Sequence, residues 1–140
     1  KLFGGKGLGE GTAAEPDVVR LTGNGDFALE VVGESHYQQN LETICGPRKE
    51  DGENLIVEAR LVLDDSNPYD NRAVLVEISE LQVGHLAREA ARVYREQLRK
   101  KRHSHAIGLC AARIKGGWKR KGGDTGHYGV WLDIPVEGID

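Results

Sequence analysis

The stretch Asn67–Arg102, NPYDNRAVLVEISELQVGHLAREAARVYREQLRKKR, constrains the fold of this chain more than any other. Asn-Pro-Tyr-Asp is a turn, because Pro68 fixes its own φ and Asn67 and Asp70 can bond nearby backbone groups. The β-branched apolar run Ala73–Ile78 reads as a strand buried on both faces. Ser79 and Glu80 are placed to close a tight turn. Leu81–His85 then has room for one short strand, in which Gly84 permits close backbone approach. Leu86, Ala90, Val93, Tyr94 and Leu98 recur at helical spacing and define an apolar face over residues 87–101. Arg88, Arg92, Arg95, Arg99 and Arg102 stack on the opposite side.

The rest of the chain supplies further short elements. Residues 1–25 read as a disordered glycine-rich linker or tail: five of residues 4–11 are glycine and little there can pack. A strand is expected over Phe27–Val32. A short helix follows, with Ser35 as N-cap, Tyr37, Leu41 and Ile44 as its apolar face, and Gly46-Pro47 as its stop. Leu55–Leu63 alternates with period two. Ala106–Ile114 and His127–Ile134 read as strands, joined by a basic glycine-rich loop, and residues 136–140 read as a tail. Most connections are too short for parallel crossovers. The expected fold is mostly β with α, over residues 26–135: a small OB-like antiparallel barrel of about six strands with one short and one long helix.

Charge is divided along the chain. Residues 1–87 carry 7 Lys+Arg against 16 Asp+Glu, and residues 88–140 carry 12 against 6. The window 88–121 holds all twelve of those cations with only Glu89 and Glu96 opposing them, a net of +10. A basic surface for a polyanion fits this pattern, and so does a plain solvated helix face. No apolar run approaches the roughly 20 residues of a spanning helix, so no membrane role is expected. Two cysteines, Cys45 and Cys110, are too few for a disulfide framework, and reduced thiols point to a cytoplasmic setting.

VVGESHY, NPYDNRAVLV and VGHLAREAA, in this order, resemble the HIRAN domain family. The resemblance spans about residues 27–134. It implies an OB-like barrel that binds DNA, either as a single strand or at a free 3′-hydroxyl end, with no cofactor. It matches Tyr69 to a ring that stacks on the terminal base and Asp70 to a carboxylate that accepts from the terminal hydroxyl. His85 then matches a contact near the phosphate, and Arg88 a phosphate-binding cation. A ring face holds a base with roughly 1–3 kcal/mol, and a carboxylate repels a continuing phosphodiester. Ser35-His36 stands where the family's DNA-end binder has Arg-Tyr; His36 can still stack or bond, with Tyr37 beside it. From the charge pattern, Arg92 and Arg95 extend a phosphate track. Trp118 and Lys119 offer a ring and a cation in the glycine-rich loop. A larger protein joined through that N-terminal linker is a further expected partner.

Other readings fit some of the same residues. The basic helix also suits an acidic protein partner. Asp64, Asp65, Asp70 and Glu77 suggest a metal-dependent nuclease, although no Glu-x-Lys follows on the next strand and turns collect aspartate. His103, His105 and Cys110 give a His-x-His-x4-Cys pattern without the second pair that a closed zinc site needs. No catalytic or metal-binding residue is therefore assigned. Tyr69, Asp70, His85 and Trp118 each have an ordinary structural reading as well, as turn formers or as lids on the core.

Overall fold

The computed structural model describes residues 17–135. The expected tail at 136–140 lies outside them, as do residues 1–16 of the expected linker. Within the described residues the chain forms a seven-stranded, curled sheet and two α-helices. The strands are β1 (Val18–Arg20), β2 (Leu29–Glu30), β3 (Glu53–Asp64), β4 (Ala73–Ile78), β5 (Leu81–His85), β6 (Ile107–Gly116) and β7 (Tyr128–Asp133). A 3₁₀ turn at Glu34–His36 leads into α1 (Gln38–Cys45), and α2 is Arg88–Lys100. The expected OB-like antiparallel barrel is present as a curled half-barrel of six strands, in the order β2-β7-β6-β3-β4-β5.

Burial alternates with period two along β6 and β7. Along β6, Gly108, Cys110, Ala112 and Ile114 are buried; along β7, Tyr128, Val130 and Leu132 are. β3 is longer than its apolar core, because Glu53, Asn54 and Asp64 also pair with neighbouring strands. In β4, Ala73, Val74, Val76 and Ile78 are buried, while Leu75 and Glu77 are only half-buried. Ser79 and Glu80 form the two-residue hairpin turn at φ 53° and 67°. These positive values match the strands' twist, although glycine or asparagine would reach them more easily. Leu86, Ala90, Ala91, Tyr94 and Leu98 dock α2 onto the sheet and join one continuous core with Leu61, Val76 and Ile114.

The N-terminal region departs from expectation in three places. Val18–Arg20, assigned to the linker from its glycine-rich surroundings, is a strand paired in parallel with Ile107–Leu109. β7 reaches only as far as Ala111 on that edge of β6, so the edge is open where β1 adds. The expected strand Phe27–Val32 is reduced to Leu29–Glu30, since Phe27 has φ 49° and cannot continue a ladder there. Ser35 does not cap α1; it lies inside the 3₁₀ turn, and Tyr37 occupies the N-cap without a side-chain bond. Beyond β2, Val32 bridges to His85 and brings β5 against the first strand of the sheet path. No helix among the described residues is long and apolar enough to cross a membrane.

Candidate functional site

The turn before β4 is built by one side chain. Asn67 Oδ1 accepts from the backbone N–H groups of Tyr69 (2.8 Å) and Asp70 (3.1 Å), and its Nδ2 donates to Asp64 Oδ2 (3.2 Å). This Asx arrangement fixes the backbone and leaves the next side chain free. Tyr69 is 90% exposed, an unusual position for a large ring. Asp70 is its opposite: the side chain is only 16% exposed. Its Oδ1 accepts from the Arg72 N–H at 3.0 Å, and its Oδ2 faces Arg88 Nε at 3.4 Å. The Arg72 N–H, followed by the fields of Arg88, Arg92 and Arg72, holds the Asp70 carboxyl below the usual carboxylate range. Asp70 therefore stays an anion with acceptor capacity to spare. Arg88 opens α2 immediately after β5, so the hairpin delivers the cation to the turn.

His85 sits at the end of β5, pairs across to Leu75, and has its ring centroid 6.5 Å from that of Tyr37. Its Nε2 lies 3.4 Å from Gln82 Nε2. His36 is exposed on the 3₁₀ turn next to Tyr37.

The arginine track is not uniform. Arg95 is a structural clamp and not a free cation. Its guanidinium donates to Asp65 Oδ1 (2.7 Å), to the Arg72 carbonyl (2.8 Å) and to the Ala73 carbonyl (2.8 Å). Those bonds occupy the group that was expected to meet a phosphate. Arg99 pairs with Glu96 at 2.5 Å. Arg72, Arg92, Arg95, Glu96 and Arg99 together line an open cleft of about 350 Å³. Sequence reading missed Arg72 in this group. Its signal was its place two residues after Asp70, in the same loop.

Trp118 and Lys119 form a separate site. Their loop follows β6, whose end pairs with the start of β3, whereas the Tyr69 turn follows the end of β3. The basic window 88–121 is accordingly divided between α2 and this far loop. Trp118 lies against Gly126, where a Cβ would come within 2.4 Å of the indole, and Arg120 stacks at 5.0 Å from its ring centroid. The ring lines a cleft of about 440 Å³ with Glu34, Ser35, Lys115, His127 and Trp131. Glu34 was not picked out from sequence. Burial, more than the neighbouring Glu30, raises its carboxyl above the usual range.

Among solved structures, the chain is similar to the crystal structure of the HIRAN domain of human HLTF. The two are 20% identical, with a TM-score of 0.34, over 79% of this chain and 77% of that one. No family model matches the chain, and no curated protein matches it. At that level of likeness the functional reading rests on this chain's own residues.

The described residues contain no group of three His, Cys, Asp or Glu side chains able to hold a metal ion. In the His-x-His-x4-Cys pattern, His103 Nδ1 meets Asp17 Oδ2 at 2.5 Å, while Cys110 is buried. Burial pushes the Cys110 thiol up to about 12 and the Cys45 thiol up to about 11, so neither is a ready nucleophile or ligand at neutral pH.

Proposed function

We propose that this domain is a non-catalytic nucleic-acid-binding module that takes the 3′ end of a single DNA strand on the Tyr69–Asp70 turn. The observation that carries this reading is the pairing of opposites on one rigid turn. Tyr69 is almost wholly exposed, and Asp70 beside it is sheltered, ionised and held by Arg88. An exposed ring offers a face for the last base. The carboxylate accepts from a free terminal hydroxyl and repels a phosphate in its place. Arg88 both orients Asp70 and offers a cation to the phosphate before the end. The HIRAN-like strings around this turn support the same roles. His85 and His36 stand on the Tyr37 side of the barrel as further contacts, and Trp118 and Lys119 belong to a second surface on this reading.

Fluorescence titration with two strands that differ only at the end tests the proposal. A 3′-hydroxyl strand should bind more tightly than its 3′-phosphorylated counterpart, and Asp70→Asn should narrow the difference. Equal affinity for both ends in the unmodified protein would remove end recognition. No salt-dependent binding to either strand would remove nucleic acid as the ligand.

A further inference from the structure

The cleft beside the turn is lined by four arginines, of which Arg95 and Arg99 are paired with carboxylates and Arg72 and Arg92 are not. Arg95 pins the backbone at residues 72 and 73 to α2, and so sets Arg72 beside the helix. Arg72, Arg92 and Arg99 then line one cleft with Arg95 and Glu96. Glu96 pairs with Arg99 and Asp65 with Arg95. Among the described residues, Arg72 and Arg92 have no ion-pair partner, and both are exposed. Three guanidinium groups from two elements, opposed within the cleft by one carboxylate, make a site for a compact anion. Phosphate suits it best, because its several oxygens can each accept from the forked N–H groups of different arginines.

We propose that Arg72, Arg92 and Arg99 form a phosphate niche that holds a phosphodiester of the strand whose end lies on the turn. The niche rests on the nucleic-acid reading above and extends it to a second anchoring point. It also assigns a polarity: the strand runs from the cleft on α2 towards Asp70, where its hydroxyl ends.

Two measurements on the full chain separate this niche from the reading beneath it. The first is side-chain NMR of the arginine Nε–Hε groups with inorganic pyrophosphate as probe. The signals of Arg72, Arg92 and Arg99 should move together, and no change at these groups would overturn the niche. The second is the salt dependence of binding to a short single strand, for the unmodified protein and for the Arg72→Ala/Arg92→Ala double variant. Its slope should become shallower by about 0.7 for each phosphate that the variant no longer neutralises. An unchanged slope, with the unmodified protein binding normally, would overturn the niche while leaving the turn in place. If the unmodified protein binds no strand, the function proposed above fails, and the niche's assignment to a strand falls with it.

Discussion

Val32 and His85 exchange both backbone hydrogen bonds, each at 2.9 Å, and so join β5 to the segment following β2. The bridge brings the two ends of the curled sheet together. Gly84, next to it, makes the approach possible: a Cβ there would lie 2.6 Å from the Val32 carbonyl oxygen and 2.5 Å from Val31 Cγ1.

Gly84→Ala should therefore destabilise the domain, because the clash is with the Val32 backbone carbonyl and with the buried, branched Val31 side chain, neither of which can swing away. Denaturant unfolding should show a loss on the order of 1–3 kcal/mol, the usual cost of overpacking. Unchanged stability would mean that the closure is easily shifted.

Arg95→Gln should lower stability by about 1–3 kcal/mol, because two backbone carbonyls and Asp65 lose a charged donor. Arg92→Gln, on the exposed side of the same helix, should leave the melting temperature nearly unchanged. Equal effects of the two substitutions in thermal denaturation would contradict the clamp.

Tyr69→Ala should do the reverse. The ring is 90% exposed and the turn is held by Asn67, so stability should hardly move. If the ring carries a base, strand affinity should fall roughly 5- to 150-fold, the equivalent of about 1–3 kcal/mol of stacking. Intact binding in the variant would return Tyr69 to a bystander.

Glu34→Gln tests the second cleft through pH. Burial raises the folded-state value of this carboxyl above its unfolded one, so folding disfavours the charged form. The resulting destabilisation is present above the folded value and disappears as pH falls below the unfolded one. Glu34→Gln should thus raise the melting temperature slightly near pH 7 and leave it unchanged near pH 3. A gain that persists undiminished at low pH would show that charge is not its source.

Local rules made much of this molecule legible. Rough alternation gave β3, an apolar run gave β6, and alternating faces gave β7. The β-branched run with Ser79-Glu80 gave the hairpin, and helical spacing gave α2 to within a residue or two at each end. Each is a short-range pattern whose hydrophobic face has one way to be buried. The turn could be read because Asn67 needs only its near neighbours to act. Tertiary structure decided what depends on distant partners. β1 exists because β7 stops short on one edge of β6, which nothing in Val18–Arg20 announces. Arg95 and Arg92 look equivalent along the helix, yet one meets Asp65 and two carbonyls while the other faces solvent. Trp118 and Tyr69, both aromatic and both in loops, fall at opposite ends of β3 because pairing register placed them there. Sequence sets which side chains an element presents; whether a cation is free to hold a ligand depends on what the fold brings within hydrogen-bond reach of it.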